Sequence, residues 1–331
     1  MKAKVPITLG VVLLDYKTPE RTIAFFNDTL SKIKISHASV IVNNTRSKII
    51  HRLLVSKTGS VDANVYPKGS QKKNRFVLTT GQNEGYARGN SKGIEFLLRN
   101  YDCQYLLVLN NDLEITDIHQ ILLKLIGVAN ERKDIGIIGP TIQNDRGIDQ
   151  NPFIGLNIGT YTLRNALNPF FMLIKILNRK FDQPALQNAP SGYYPHVSGC
   201  FMVIRANAYV QSGGFDKNTF LYAEEAILSE RMKNAGFKSF YQETPPIRHK
   251  EGLTIDLFVN TESKLTINNA SMMYYFEKYK KANGIELWIC KISFYAYLGV
   301  YLKMYRLLLK LAGIFYKNKI KTRFTRWSKT D

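Results

Sequence analysis

The chain has 331 residues, 45% hydrophobic and 22% charged, which suits a large folded core and excludes a disordered or low-complexity protein. Its formal charge of +20 asks for an acidic partner, and nucleic acid, anionic lipid and phosphorylated substrates all qualify. Cys103, Cys200 and Cys290 lie far apart with no CxxC pair, which excludes a disulfide framework or thiolate zinc site and fits a reducing compartment.

The opening MKAKVPITLGVVLLDY has basic residues and an apolar run. Pro6 and Thr8 interrupt that run, it ends at Asp15, and no small-residue cleavage site follows. A first core strand over 7–14 is expected rather than a signal peptide. Pro19 and Glu20 open a helix over 21–33. Short apolar runs at 39–42, 76–78, 105–109 and 135–138 read as further strands. Helices are expected from the loop GQNEGYARGN to about residue 99, and over 118–129. The strands are continuously apolar, as in sheets covered on both faces, and strand–helix alternation predicts a mostly parallel sheet. Ligands bind beyond the carboxyl ends of such strands. Asp15, Asn43 and Asp112 all fall at those ends.

From 143 to about 195 the pattern becomes irregular. NPFFMLIKILNRK within it reads as a core helix or a membrane-facing insertion. Order returns with a strand near 200–204, a turn at Gly213-Gly214, a helix over 224–235 closed by Gly236, and a strand over 237–241. PPIRHKEG reads as a loop. Beyond residue 283 the sequence is apolar, aromatic and basic. Residues 287–330 carry ten Lys or Arg and no acid, so half the net charge lies there. Lys291, Lys303, Arg306 and Lys310 interrupt any long apolar span, while Lys303, Arg306, Lys310 and Lys317 line one helical stripe. That profile suits a helix lying in an anionic membrane surface, with a polybasic end. A packed terminal helix with a solvated tail is the plainer alternative. A nucleic-acid partner is not expected, because the charge gathers in one tail rather than on a binding face.

The run LLVLNNDLEIT ends a strand on Asn110, Asn111 and Asp112. A carboxylate there can hold a divalent cation whose remaining positions are filled by phosphate and water. Taken alone, Asn-Asn-Asp is an ordinary turn. Asp15-Tyr16 could hold a ribose and stack a base. The loop 83–90, with Asn83, Gly85 and Asn90, allows close approach to a nucleotide at a helix N-terminus. Its spacing does not match a dinucleotide fingerprint. Glu224-Glu225 could complement the dipole of a helix or act as a general base. His249 could complete a metal site or be only a loop histidine.

Seven segments in order, VVLLDYKTPE, SVIVNNTRS, NEGYARGNSKGI, YLLVLNNDLEI, VSGCFMVIRANAYVQSGGFD, FLYAEEAILSERMKNAGF and IRHKEG, resemble the family 2 inverting glycosyltransferases, especially bacterial rhamnosyltransferase-like members. The resemblance covers about residues 5–255. It implies an α/β GT-A domain over 1–255, with a nucleotide-binding half (1–140) and an acceptor half (141–255). A helical, basic, membrane-associating region would follow over 256–331. It implies that Asp112 and His249 bind Mg²⁺ or Mn²⁺, and that Asp15, Tyr16, Asn43, Asn83, Gly85, Asn90, Asn110 and Asn111 line the nucleotide-sugar pocket. Glu225 or Glu224 would be the catalytic base, and Gly199, Gly214 and Asp216 would shape the acceptor side. Two departures stand out: Glu225 replaces the usual Asp of a Glu-Asp pair, and Asn43 replaces the usual Asp of an Asp-Asn pair. They leave room for a degenerate member. A nucleotidyltransferase would carry a glycine-rich loop after the first strand, which DYKTPER lacks. The expected acceptor is a lipid-linked glycan of a surface polysaccharide such as O-antigen or capsule, met at the cytoplasmic face of the membrane.

Overall fold

The computed structural model describes residues 4–66, 73–155, 157–175, 185–250 and 261–315, with only the backbone for 169–175, 261 and 304–315. The chain divides into two compact units, 1–155 with 182–279, and 156–181 with 280–331. Residues 261–279 therefore belong to the first unit and 156–181 to the second, a partition that differs from one placed at residue 255.

The first unit is built on a sheet of nine strands among the described residues. In chain order its strands are β1 (Val5–Asp15), β2 (His37–Asn43), β3 (Val61–Asp62), β4 (Arg75–Thr79) and β5 (Tyr101–Leu109). A separate small sheet takes β6 (Leu113–Glu114), the large sheet resumes with β7 (Ile135–Gly139), and the small one adds β8 (Ile142–Asn144). After these come β9 (Gly192–Tyr193), β10 (Phe201–Arg205) and β11 (Lys238–Tyr241) in the large sheet and β12 (Ile247–His249) in the small one. The large-sheet order is β3-β4-β2-β1-β5-β10-β7-β11-β9. Strands β3, β4, β2, β1 and β5 run parallel. Val12, Val40, Leu107 and Val108 are fully buried, as a sheet covered on both faces requires.

The helices are α1 (Pro19–Asp28), α2 (Lys48–Thr58), α3 (Gly85–Asn100), α4 (Ile118–Glu131), α5 (Ile158–Lys175), α6 (Ala206–Gln211), α7 (Glu224–Asn234), α8 (Thr261–Lys280) and α9 (Gly284–Phe315). Helix α2 was not anticipated from the sequence. Its signals are local: Ser47 accepts from the Ile50 N–H as N-cap, and Gly59 closes it at φ 61°.

Two features position the site. Strand β10 enters antiparallel between β5 and β7, pairing Phe201 with Leu109. Its amino end, preceded by Gly199 and Cys200, thus lies at the same sheet edge as the carboxyl end of β5, and the Asn110 N–H donates to Cys200 O at 3.0 Å. The second is a correction: the PPIRHKEG segment is not wholly loop, because β12 pairs antiparallel with β6 and parallel with β8. All three cysteines are free and buried.

In the second unit, α9 contacts α5. Cys290, Phe294 and Leu298 are buried along one side of α9. Ile285, Trp288, Ile289, Ile292 and Tyr295 are exposed on the other, Trp288 at 64%. Lys291 does not break this helix, and its stretch Gly284–Lys303 is long and apolar enough to cross a membrane. The end of NPFFMLIKILNRK, Lys317 and the tail after it lie outside the described residues, as do the side chains of Arg306 and Lys310.

Candidate active site

Parallel pairing sets Asp15, Asn43 and Thr79 in one row across the carboxyl ends of β1, β2 and β4. Asp15 is fully buried. Its Oδ1 accepts from the Thr22 hydroxyl at 2.6 Å and the Thr18 hydroxyl at 3.4 Å, while Oδ2 has no hydrogen-bond partner. Burial raises its pKa above the ordinary value, against the pull of those hydroxyls. Asn111 is 6% exposed and donates from Nδ2 to Thr22 (2.7 Å) and Thr18 (2.9 Å). Asn111 therefore braces Asp15 through two threonines, inside the fold. Tyr16 lies just beyond, with the Lys17 ammonium 5.6 Å from its ring centroid.

Asn43 is also spent internally, donating to Ser47 O and accepting from the Thr45 hydroxyl. Its neighbour Asn44, which sequence reasoning passed over, ties the turn at Asn83, Glu84 and Gly85 together. Asn44 donates to Asn83 Oδ1 (3.2 Å) and Gly85 O (3.1 Å), and accepts from the Glu84 N–H (3.0 Å). Gly85 opens α3 at φ 77°, and a Cβ there would lie 2.0 Å from Phe220 O. Only glycine fits that approach. Asn90 is fully buried and donates to Tyr86 O, leaving its Oδ1 without a partner.

Asp112 lies three residues beyond the end of β5 and directly before β6. Pairing of β12 with β6 sets His249 opposite Leu113, and the His249 Nε2 lies 3.5 Å from Asp112 Oδ1. That separation is longer than a charge-assisted hydrogen bond, and Oδ1 is buried with no hydrogen-bond partner. An orphan carboxylate oxygen facing an imidazole nitrogen is a donor set suited to a divalent cation with phosphate and water as its other ligands. Among the described residues no group of three or more His, Cys, Asp or Glu gathers, so of these residues this pair is the one that would hold the cation. A 340 Å³ cavity adjoins it, lined in part by Arg21, Asn111, Asp112, Glu114 and Lys250. Asn110 is held by its backbone and only partly buried.

Glu224 and Glu225 open α7 after two residues in left-handed backbone, Tyr222 (φ 75°) and Ala223 (φ 66°). Such conformations cost on the order of 1–3 kcal/mol each and gather at functional sites. Glu224 is buried with Oε1 unpartnered, and burial followed by repulsion from Glu225 pushes its pKa up to about 8. Glu225 is partly exposed, and burial raises its pKa too. A Cβ on Gly199 would lie 3.6 Å from Glu225 Oε2 and 3.5 Å from the Tyr86 hydroxyl, which itself donates to Gly199 O. The β10 entry thus comes within reach of Glu225, the less buried glutamate of the pair.

The other two acceptor-side candidates face inward. Gly214 (φ 66°) packs against the Tyr209 ring, 2.5 Å from where a Cβ would stand. Asp216 accepts from Asn218 (backbone N–H 2.9 Å, side chain 2.8 Å), Tyr274 (2.8 Å) and Tyr279. Burial works against ionisation of Asp216, but these donors hold its pKa below the ordinary value. Asp216 clamps α8 to the segment before α7.

No family model matches the sequence. Over 160 residues the chain is 29% identical to a low-salt glycan biosynthesis hexosyltransferase of Haloferax volcanii, covering 47% of this chain and 45% of that protein. Over 53 residues it is 36% identical to the N-acetylglucosaminyl-diphospho-decaprenol L-rhamnosyltransferase of Mycobacterium tuberculosis, 16% of this chain and 17% of that one. The chain thus spans less than half the length of these curated relatives. Among solved structures, GalNAc-T7 with UDP, GalNAc and Mn²⁺ superposes with a TM-score of 0.53 at 13% identity, over 83% of this chain and 49% of that one. A Pyrobaculum calidifontis mannosyltransferase with GDP-Man and Mn²⁺ gives 0.53 at 8% identity, over 96% and 83%. These likenesses give the fold, which is GT-A, and the sequence resembles rhamnosyltransferase-like GT-A proteins.

Proposed function

We propose that this chain is an inverting glycosyltransferase that moves a sugar from a nucleoside-diphosphate sugar to a hydroxyl of a glycan acceptor. The observation that carries this reading is the Asp112–His249 pair, with its orphan carboxylate oxygen, at a sheet edge that also holds Asp15 and the Glu225 end of α7. The hexosyltransferase and rhamnosyltransferase names of the relatives support it.

Asp15, Tyr16 and the Asn83–Gly85 turn would seat the nucleoside. Asp112 and His249 would hold Mg²⁺ or Mn²⁺, which neutralises the departing diphosphate. Arg21 and Lys250 add positive charge beside the same cavity. Glu225, the more exposed of the pair, takes the proton of the acceptor hydroxyl. The acceptor oxygen then bonds to the anomeric carbon from the face opposite the leaving group. The bond to the diphosphate oxygen breaks with its electron pair, so the configuration inverts without a covalent intermediate. Buried Glu224, with its raised pKa, stays protonated near neutrality and does not compete for the proton.

A lipid-linked acceptor of a surface polysaccharide fits the decaprenol-linked sugar in the mycobacterial relative's name and the exposed apolar side of α9. With +20 overall, the protein would meet that acceptor peripherally, on an anionic membrane surface at the cytoplasmic face. A panel of UDP-, dTDP- and GDP-sugars with Mn²⁺, with and without detergent-solubilised lipid-linked acceptors, tests the reading. One donor should be consumed, and product NMR should show inverted anomeric configuration. Consumption of none, or a retained anomer, would refute it.

A further inference from the structure

The stretch Asp149-Gln150-Asn151 lies in the part of the sequence that reads as irregular, yet its three polar residues are buried at 8%, 6% and 1% exposure. Burying polar side chains is costly unless each is hydrogen-bonded, so such a row marks a built platform. Asp149 Oδ1 accepts from Gln143 Nε2 (2.9 Å) and Oδ2 from the Asn188 N–H (2.8 Å), while Gln187 donates to its backbone carbonyl (3.0 Å). Asn151 donates to Pro140 O (2.6 Å) and accepts from the Ser198 N–H (3.1 Å), one residue from Gly199. The Gln150 backbone N–H donates to Ile142 O at 2.8 Å, in β8. Both flanks of Gln150 are therefore fixed.

From this platform the Gln150 side chain reaches His249, with Oε1 2.9 Å from Nδ1. An amide oxygen can only accept, so Nδ1 carries the proton and Nε2 presents its lone pair on the side where Asp112 Oδ1 waits. Histidine ligands of metals commonly donate their second ring N–H to a fixed acceptor, which sets tautomer and orientation.

We propose that Gln150 is a positioning residue of the cation site, holding His249 with Nε2 bare and aimed at Asp112. The inference rests on the glycosyltransferase reading above and deepens it, since it says how the Asp112–His249 pair keeps its geometry. Gln150 touches neither cation nor sugar; it acts through the imidazole.

Two measurements on the full chain test this. In the metal-free protein at alkaline pH, ¹⁵N NMR of His249, assigned by its loss in His249→Ala, should show the Nδ1–H tautomer; the Nε2–H tautomer would overturn the proposal. This readout needs no Gln150 variant and decides the matter even if the variants fold poorly. In the second, Mn²⁺ binding is measured with UDP present. Gln150→Leu should weaken it about 10–100-fold, the range typical for lost outer partners, in a variant that still unfolds cooperatively. Gln150→Glu, which keeps an acceptor, should restore it. Wild-type Mn²⁺ affinity in Gln150→Leu, with binding lost in Asp112→Ala, would overturn the role of Gln150 while leaving the cation site standing. Wild-type affinity in Asp112→Ala and His249→Ala as well would overturn the cation site itself, and this proposal with it.

Discussion

At the scale of single residues, the site is defined by oxygen atoms that the fold leaves unsatisfied: Asp15 Oδ2, Asp112 Oδ1 and Glu224 Oε1. Glu224 links this to pH. Unfolded, it releases its proton near 4.5; folded, at about 8. Between those values the native chain binds the extra proton, so raising the pH favours unfolding. Its stabilising contribution is full below pH 4.5 and lost as the pH rises to about 8. The wild-type melting temperature should therefore drop between pH 5 and 8.5, and Glu224→Gln should flatten that drop. A pH series of thermal melts on both proteins checks it. Asn111 makes a second case. Truncating it to Ala strips the Thr18 and Thr22 hydroxyls that brace Asp15 of a buried partner, at a cost of about 1–3 kcal/mol measured by chemical denaturation.

At the scale of elements, the question is which connections bring the site together. Glycine at position 85 lets α3 begin against the Phe220 carbonyl, just ahead of the strained turn that presents Glu224 and Glu225. Gly85→Ala should cost at least about 1–2 kcal/mol for the left-handed backbone alone, with further loss from the clash. Urea denaturation, with donor binding measured beside it, gives both effects. Much of this level was legible in the sequence, because strand ends announce themselves. Asp15, Asn43 and Asp112 each terminate an apolar run, and Glu224-Glu225 opens a helix closed by Gly236. What was not legible depends on long-range pairing. Gln150 meets His249 across 99 positions, and no local pattern marks it. Asn111 and Asp216 look like ligand-facing residues by type, yet Asn111 is engaged by Thr18 and Thr22 at the start of α1, and Asp216 by Tyr274 and Tyr279 of α8, all distant in sequence. The strand inside PPIRHKEG is three residues long and is paired on both sides by β6 and β8, which lie more than 100 positions earlier, so periodicity could not show it.

At the scale of the whole molecule, net charge and the apolar side of α9 bear on where the chain works. Trp288, Ile292 and Tyr295 are exposed, so replacing them should leave folding stability within about 0.5 kcal/mol. A Trp288→Ser/Ile292→Ser variant should nonetheless lose binding to vesicles containing anionic lipid, read by flotation. Equal flotation of variant and wild type would count against α9 as the contact. The basic side chains add an electrostatic part that weakens with salt over a Debye length of about 8 Å at physiological ionic strength.

The most direct measurement is nucleoside diphosphate release from the preferred donor with Mn²⁺, for wild type, Asp112→Ala and Glu225→Gln side by side, with donor binding followed in parallel. Wild type should turn over. Glu225→Gln should bind the donor but lose about 10²–10⁴-fold in rate, as removal of a general base does. Asp112→Ala should lose both Mn²⁺-dependent binding and turnover. Turnover indistinguishable among the three would contradict the assignment of Asp112 and Glu225, and leave Asn110, Asn111 and Asp112 as an ordinary turn at the end of a strand.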